Sequence, residues 1–479
     1  MYEFKTKPYA HQEKILNESW QAKYYALFMD MGTGKSKVAV DNIAMLYESG
    51  EINAALIVAP KGVYDNWVRG EIPIHFPDRI ERKVVRWTPT TSKRYRTEVE
   101  DLIYAAFEGV KIFVMNVEAF STKRGVDAAA TYLFQNPNNI IIVDESTTIK
   151  NRKAQRTKNL MQLTDHSKYR RILTGSPITK SPLDLFSQCN FLDHRSLGFN
   201  SFFAFQNRYA VVQRRVMGAR SFQEITGYRR LPELTARLQG FSSRVLKEEC
   251  LDLPDKTYVR RNVRLTEDQS RLYDQMKHLA LAQLNNMDIA TTTSVLTQIM
   301  RLQQICCGTF QPDEGELQEI SNNRLDEMLN VIDETSGKII IWATFTHDIQ
   351  RIGQALRDRF GPESVALYYG QTPQEKRQEI VEEFQNADSE LRFFVGQPKT
   401  GGYGITLTAA STVIYYSNSY DLEIRLQSED RAHRIGQSKA VTYVDLVSPD
   451  TIDEKILEAL RNKVHLAGKV LAEEVKKWI

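Results

Sequence analysis

The chain has 479 residues, a formal net charge of +3 at pH 7, and 42% hydrophobic against 26% charged residues. This length suits two or three domains rather than one, and the composition is that of a globular protein with sizeable buried cores. No apolar run approaches the roughly 18 residues needed to span a bilayer, and the first residues lack the apolar core of a secretory signal. We therefore expect a cytosolic protein with no membrane partner.

The four cysteines show no spacing typical of a metal site. Cys306 and Cys307 are adjacent, while Cys189 and Cys250 stand alone. Adjacent cysteines suit neither a disulfide framework nor a zinc site. The sequence therefore predicts buried, reduced thiols.

Short apolar runs recur along the chain, and a helical pattern usually follows each of them. This is typical of parallel sheets whose strands are buried on both faces. The runs form two sets, and the stretch between them, from about Leu183 to Leu329, is mostly helical. The pattern predicts an α/β protein of two lobes with parallel sheets, helical insertions near the lobe junction and a C-terminal helix. The runs are Tyr25–Phe28, Ala55–Val58, Lys111–Val114, Ile140–Val143 and Arg171–Leu173 in the first set, and Lys338–Trp342, Val365–Tyr368, Arg392–Val395, Thr412–Tyr416 and Val441–Val444 in the second.

A glycine-rich loop, Gly-Thr-Gly-Lys-Ser at residues 32–36, follows the first predicted strand and opens a helix. Backbone amides of such a loop point at the β- and γ-phosphates of a nucleotide, and the helix N-terminus adds a favourable dipole. We expect Lys35 to neutralise phosphate charge and Ser36 to ligate Mg²⁺. The strict pattern has a glycine where this chain has Met29, but the strand–loop–helix setting still indicates a nucleotide site.

Two carboxylates, Asp144 and Glu145, end the buried strand that begins at Ile140. Asp144 at that position can hold Mg²⁺ through water, and Glu145 can polarise the attacking water. An acidic pair at the end of an apolar strand, downstream of a phosphate loop, predicts nucleotide hydrolysis.

Near the far end of the chain, Arg431 and Arg434 stand three residues apart, which predicts one face of a helix. A guanidinium placed on the γ-phosphate stabilises the charge of the transition state. If the nucleotide lies on one lobe and the arginines lie on the other, hydrolysis is expected to open and close a cleft. Such motion against a bound nucleic-acid strand would be translocation.

A basic segment lies between Ser201 and Lys247, where nine Lys and Arg residues stand against two acidic ones. Arg214 and Arg215 lie in its middle. Such a segment either binds phosphates or forms a solvated helical surface, and its charge alone leaves both interpretations open.

The order and spacing of these motifs resemble helicase superfamily two and, within it, the Swi/Snf-type ATPases, over nearly the whole chain. Thr147, Thr406 and Gln397–Pro398 depart from the family's residues at positions near those that couple ATP to nucleic acid. The resemblance is carried by Pro8–Gln12, Leu56–Pro60 with Asn66–Trp67, Asp144–Asn151, Leu173–Ile178, Ile341–Thr346, Tyr369–Thr372, Gly401–Ala410 and Asp430–Gln437.

The resemblance implies two RecA-like lobes that use ATP and Mg²⁺ and bind double-stranded DNA without sequence preference. Its metal ligands are Ser36 and Asp144, and its catalytic residues are Lys35, Asp144, Glu145, Arg431 and Arg434. The nucleotide-binding residues that it implies are His11, Gln12, Asp30, Met31, Gly32, Thr33, Gly34, Lys35, Ser36 and Gly404. The DNA-binding residues are Lys61, Thr174, Thr400, Gly401, Thr406, Arg214 and Arg215.

On the same resemblance, residues 1–250 form lobe 1, with a helical protrusion over about 183–247. Residues 251–450 form lobe 2, with a helical insertion over about 266–335, and residues 451–479 form a C-terminal helical segment.

The implied function is a DNA-stimulated ATPase that translocates on duplex DNA and remodels protein–DNA or branched structures. One alternative is a strand-separating or annealing helicase on forked or single-stranded DNA. Another is a non-catalytic scaffold switched by nucleotide, which the intact Glu145 and both arginines disfavour. Because we see little beyond the motor core, we expect a separate recruiting protein and a compact microbial or viral version, in the cytoplasm of a microbe or infected cell or in a eukaryotic nucleus.

Overall fold

The structure is a computed structural model in which the chain divides into two compact units. The first unit is built mainly from residues up to 252, and the second mainly from Leu253–His465. Each unit contains one large parallel sheet, which confirms the predicted α/β class with two parallel sheets. The described residues are 2–90, 92–217, 220–250, 253–285, 292–310, 316–401 and 405–471.

The sheet of the first unit has seven parallel strands in the order β3-β4-β2-β5-β6-β1-β9. Its central strands are buried along their whole length because helices cover both faces, and they match the apolar runs of the first set. The strands up to residue 252 are β1 (Tyr24–Met29), β2 (Ala54–Ala59), β3 (Arg82–Arg86), β4 (Val110–Asn116), β5 (Asn139–Asp144), β6 (Tyr169–Leu173), β7 (Ala210–Met217), β8 (Arg220–Tyr228) and β9 (Ser242–Val245).

The order of the strands decides what meets at the carboxyl edge of this sheet. Strand β6 lies between β1, which leads into the glycine-rich loop, and β5, which ends at Asp144. Residues that follow β1, β6 and β5 are therefore neighbours, although they are far apart in sequence.

The helices of the first unit begin soon after the strands, and a π-helical turn, Trp67–Glu71, joins two short ones. The helices are α1 (Ala10–Ser19), α2 (Lys35–Glu48), α3 (Tyr64–Asn66), α4 (Ile72–His75), α5 (Lys93–Tyr104), α6 (Lys123–Gln135), α7 (Gln155–Leu163), α8 (Leu185–Leu192), α9 (Phe202–Tyr209), α10 (Leu231–Gln239) and α11 (Lys247–Cys250).

Within the range predicted as a helical protrusion, the structure differs from an all-helical arrangement. Strands β7 and β8 pair with each other in a separate two-stranded sheet, so the surroundings of Arg214 and Arg215 are a strand and not a helical surface. Val211, Val212 and Ile225 explain the difference, since β-branched residues favour the extended backbone.

The sheet of the second unit has six parallel strands in the order β10-β17-β16-β13-β15-β14. Its interior strands match the apolar runs of the second set. A separate antiparallel pair is formed by β11 and β12. The strands are β10 (Lys256–Asn262), β11 (Thr309–Phe310), β12 (Gln318–Glu319), β13 (Lys338–Trp342), β14 (Val365–Tyr368), β15 (Phe393–Gly396), β16 (Ala410–Tyr415) and β17 (Val441–Val447).

The helices of the second unit include two long ones, α12 and α13, within the stretch that was predicted to be a helical insertion. The C-terminal helix α19 was also predicted, although residues 472–479 lie outside the described residues. The helices after residue 252 are α12 (Glu267–Asn285), α13 (Thr292–Cys307), α14 (Arg324–Asp333), α15 (Thr346–Phe360), α16 (Gln374–Gln385), α17 (Pro398–Gly401), α18 (Leu422–Glu429) and α19 (Ile452–Leu471), of which the last residues from Leu466 are assigned to the first unit.

The cysteines are all free thiols, and three of them are buried, while Cys250 is half-buried. Burial raises the pKa of Cys250 to about 11 and raises that of Cys189 further. Within the part of the chain that the structure describes, no helix is long and apolar enough to cross a membrane.

Candidate active site

The glycine-rich loop turns sharply between β1 and α2. Gly32 and Gly34 have positive φ angles of 83° and 85°, a conformation that only glycine adopts at little cost. A Cβ atom at Gly34 would collide with the side-chain amide of Gln12. The loop therefore needs glycine at this position both for its backbone conformation and for its contact with α1.

The side chains of His11 and Gln12 converge on this loop from α1. The His11 Nε2 atom lies 2.8 Å from the Thr33 carbonyl oxygen, and Gln12 Nε2 donates to the same oxygen at 3.0 Å. The side-chain oxygen of Gln12, Oε1, accepts a hydrogen bond from the backbone N–H of Tyr9 at 3.0 Å. Both predicted nucleotide-binding residues thus lie beside the loop, where they fix its path.

Asp30 ties the start of the loop to strand β9. Its carboxylate pairs with Arg244 at 2.9 Å and accepts from the backbone N–H of Lys247 at 3.1 Å. Arg244 also donates to the carbonyl oxygens of Phe28 and Gly175. Asp30 was predicted to bind nucleotide. In the structure its side chain stabilises the start of the loop through these contacts.

The carboxylate of Asp144 is buried at the end of β5 and is held by two donors. The indole Nε1–H of Trp67 donates to Oδ2 at 2.9 Å, and the backbone N–H of Glu145 donates to Oδ1 at 2.9 Å. Burial raises the pKa of Asp144, while the Lys35 ammonium and these hydrogen bonds act in the opposite direction. These two hydrogen bonds thus fix the orientation of the carboxylate.

Glu145 has the left-handed backbone angles φ 45° and ψ 60°. Non-glycine residues rarely adopt them, and such strain is concentrated at functional sites. The Glu145 carboxylate lies 3.4 Å from Lys35 Nζ, and its other oxygen lies 3.5 Å from the hydroxyl of Thr174. Lys35 of the phosphate loop and Glu145 of the acidic pair, which lie 110 positions apart in sequence, therefore meet at one site.

Thr174 follows β6, which lies between the other two strands of the site. Its backbone N–H donates to Leu27 at the end of β1 at 3.2 Å, and its side chain is fully buried beside Glu145. This residue was predicted to contact the DNA backbone. That contact stays a prediction; in the structure Thr174 bonds β1, which leads into the glycine-rich loop, and lies beside Glu145, which follows β5.

The oxygen atoms at this site suit the coordination of a magnesium ion that binds together with a nucleotide. Among the described residues, no group of three or more His, Cys, Asp or Glu side chains could hold a metal ion. Mg²⁺ in nucleotide sites takes one or two carboxylates and completes its shell with phosphate oxygens and water. Each oxygen of Asp144 keeps a free lone pair beyond its one hydrogen bond. Asp144 and the Ser36 hydroxyl would hold the ion, which neutralises phosphate charge when bound.

Trp67 was missed as a site residue by sequence reasoning, although its motif was noted.

We expect Trp67→Phe to raise the Mg²⁺ concentration for half-maximal ATPase activity about tenfold, because the donor that orients Asp144 is lost. The turnover number at saturating Mg²⁺ should change far less. Trp20→Phe is the matched control, since Trp20 packs against the same core cluster. An Mg²⁺ requirement that shifts equally in both variants would contradict this role for Trp67.

Arg431 and Arg434 lie in the second unit, in the turn that follows α18. Their guanidinium groups converge on the carbonyl oxygen of Ile405, with Nη1 to O distances of 3.1 Å and 3.3 Å. The prediction of a helical face is wrong, because α18 ends at Glu429. The backbone turns there, and this turn keeps the two arginines together. We call residues 430–437 the arginine turn.

The other predicted DNA-binding residues occupy varied places. Lys61 is exposed just after the carboxyl end of β2, and Arg214 and Arg215 are exposed on β7. The Arg215 guanidinium pairs with Glu224 at 2.6 Å. The remaining positions lie in or after α17: Thr400 and Thr406 are half-buried, and Gly401 is buried. Gly404, which was predicted to bind nucleotide, lies outside the described residues.

A phosphate loop with an acidic pair on one parallel-sheet unit, and paired arginines on a second such unit, define the class of helicase-like ATPases. The model of the SNF2-related domain matches residues 15–311, and the model of the helicase conserved C-terminal domain matches residues 321–436. The first match alone covers more than half of the chain. The chain therefore belongs to the SNF2-related family.

Curated relatives match nearly the whole chain at modest identity. An uncharacterised ATP-dependent helicase of Mycoplasma genitalium is 27% identical over 93% of this chain and 40% of its own length. YwqA of Bacillus subtilis, named as an ATP-dependent helicase/translocase, is 26% identical over 94% of this chain and 46% of its own. A protein of Arabidopsis thaliana, named as a probable ATP-dependent DNA helicase, is 27% identical over 92% and 41%. The chain thus spans less than half the length of these relatives.

Proposed function

We propose that this protein is an ATP-driven translocase on double-stranded DNA. The observation that supports it most is the placement of Glu145 between Lys35 and Thr174. A carboxylate at this position can orient a water molecule against the γ-phosphate that Lys35 holds. The names of the relatives, a helicase/translocase and a DNA helicase, support DNA as the track.

In the proposed cycle each group has one task. The loop amides and Lys35 bind the phosphates, Asp144 holds Mg²⁺, and Glu145 accepts a proton from the attacking water. Arg431 and Arg434 stabilise the negative charge that develops on the γ-phosphate. Binding and loss of that phosphate then change the relation of the two units, and this change moves the DNA.

DNA is proposed to be held through its phosphates, with Lys61 as one contact. Phosphate contacts position a protein but carry no sequence information. Binding should therefore be independent of sequence and should weaken as salt rises, with a slope of about −0.9 for each phosphate that is neutralised. Recruitment to a particular DNA structure would fall to a separate partner protein.

The test is ATPase activity with duplex, single-stranded and forked DNA and with RNA, combined with displacement of a triplex-forming strand from a duplex. We expect duplex DNA to stimulate ATPase activity most and the triplex to be displaced only with ATP. Equal or stronger stimulation by single strands would overturn the duplex assignment in favour of a strand-separating or annealing helicase. If the protein binds ATP but hydrolyses none under all of these conditions, the result would favour the nucleotide-switched scaffold.

In a titration of DNA binding at several salt concentrations, Lys61→Ala should weaken the affinity equally for all sequences and lower the salt slope by about 1. Lys23→Ala is the matched control, because Lys23 is exposed at the amino end of β1, on the opposite edge of the same sheet. Equal losses of DNA affinity in the two variants would mean that only net charge matters and not the position of Lys61.

A further inference from the structure

Helix α18 ends at the residue on which the arginine turn is built. The Glu429 carbonyl oxygen accepts from the backbone N–H groups of Ala432 and His433 at 3.2 Å and 3.3 Å. It also accepts from the Tyr443 hydroxyl of β17 at 2.9 Å. Any shift of Glu429 would therefore move Arg431 and the residues that follow it.

The side chain of Glu429 is itself fixed by Arg425, one helical turn earlier. Arg425 Nε donates to Glu429 at 2.8 Å, and the other guanidinium nitrogens donate to Asp445 at 2.5 Å and 3.0 Å. Asn418 accepts a further bond at 2.6 Å. The guanidinium also lies 3.6 Å from the centre of the Tyr415 ring. All of these partners are buried, so the arginine has a single possible orientation.

The second oxygen of Glu429 faces the edge strand β10. It accepts from the Tyr258 hydroxyl at 2.7 Å, and Lys256 Nζ lies 3.4 Å away. Burial by itself would raise the pKa of Glu429, but Lys256 and Arg425 outweigh it and lower that pKa. Glu429 is therefore charged at neutral pH and is held from both sides.

This buried charge network is hard to explain by stability alone. Replacing buried ion pairs by well-packed apolar residues is often neutral or stabilising, because desolvation offsets most of the attraction between the charges. What a fully bonded network does provide is a fixed geometry. Here the element that it fixes is the end of α18, from which the arginine turn departs.

We propose that Arg425, Glu429 and Tyr258 are positioning residues, which hold Arg431 and Arg434 in the geometry that the transition state requires. The proposal rests on the proposed function, since it assumes that the arginines act on the γ-phosphate. These three residues do not touch the nucleotide themselves. They act only through the arginine turn.

The mildest test is Tyr258→Phe, which removes one hydrogen bond to Glu429 and keeps the ring that stacks on Tyr443. We expect kcat for DNA-stimulated ATP hydrolysis to fall about tenfold, while KM for ATP stays within about twofold. Tyr416→Phe is the control, because its hydroxyl bonds Arg351 elsewhere in the same unit. It should change the melting temperature by a similar amount and leave kcat unchanged.

A double-variant cycle separates positioning from general loosening of the unit. If Tyr258 acts only through the arginines, the fold-loss of kcat caused by Tyr258→Phe should be smaller in the Arg434→Ala background than in the wild type. Multiplicative losses, or equal kcat losses in Tyr258→Phe and Tyr416→Phe, would overturn the proposal. An unchanged kcat in Arg434→Ala would instead overturn the part of the proposed function that places Arg434 on the γ-phosphate in the transition state, so the two failures are distinguishable.

Discussion

Glu145→Gln is expected to reduce kcat for ATP hydrolysis by at least about 10³-fold while ATP binding survives. The amide keeps the size of the side chain and its place in the left-handed turn after β5. It cannot accept the proton of the attacking water, so the chemical step fails. Because Asp144 and Lys35 are untouched, the groups that bind Mg²⁺ and phosphate remain.

Two measurements check this expectation: steady-state phosphate release, and binding of a fluorescent ATP analogue. The control is Glu118→Gln, the same change at an exposed residue shortly after β4 on the same edge of the sheet. That variant should hydrolyse ATP like the wild type. Undiminished turnover in Glu145→Gln would show that another group is the general base.

The interior strands could be predicted from the sequence because burial on both faces makes them continuous apolar runs. Ile140–Val143 and Lys338–Trp342 are examples, and each lies inside its sheet. The missed strands β3, β9 and β10 are all at the edges of the sheets. Edge strands carry charged residues, as Arg82–Arg86 does, because solvent covers one side and charge prevents unwanted pairing. Their pattern is therefore hard to distinguish from that of a loop.

The two-stranded sheet of β7 and β8 was not predicted for a similar reason. Its arginines produce a basic segment, and that charge indicated either phosphate binding or a solvated helical surface rather than strands. The β-branched residues at Val211, Val212 and Ile225 were the available evidence for strands.

The candidate catalytic residues of the first unit could be predicted from the motifs and from the ends of the strands, because parallel strands bring their carboxyl ends to one edge of the sheet. The contacts that support these residues could not be predicted. The bond from Trp67 to Asp144 and the pair of Asp30 with Arg244 join residues 77 and 214 positions apart, respectively. No local pattern encodes such distant contacts. Strand order decides them, and strand order was not part of the sequence prediction.

Thr174 illustrates the same limit. The resemblance implied a DNA contact, which stays a prediction, but it did not imply that the side chain is buried beside Glu145 between the ends of β1 and β5. The motif located the residue correctly at the end of β6. Which way the side chain faces depends on the neighbouring strands.

Arg434→Ala is expected to lower kcat by about 10³-fold with little change in ATP affinity. The physical reason is that the guanidinium meets the γ-phosphate only when charge builds up on it, so the ground state loses little. Arg434→Lys should recover a fraction of the lost activity, since an ammonium supplies charge but not the two-pronged geometry. In the structure the Arg434 side chain is half-buried and lies close to the Ile405 carbonyl oxygen.

The matched control is Lys439→Ala, which removes one positive charge from an exposed position just beyond the arginine turn. Its kcat should stay within about twofold of wild type, because a solvated charge is screened within roughly 10 Å at ordinary salt. Single-turnover hydrolysis with ATP in excess of its dissociation constant isolates the chemical step. A loss confined to ATP affinity would assign Arg434 to nucleotide binding. An equal loss of kcat in Lys439→Ala would show that net charge, and not a placed guanidinium, drives the reaction.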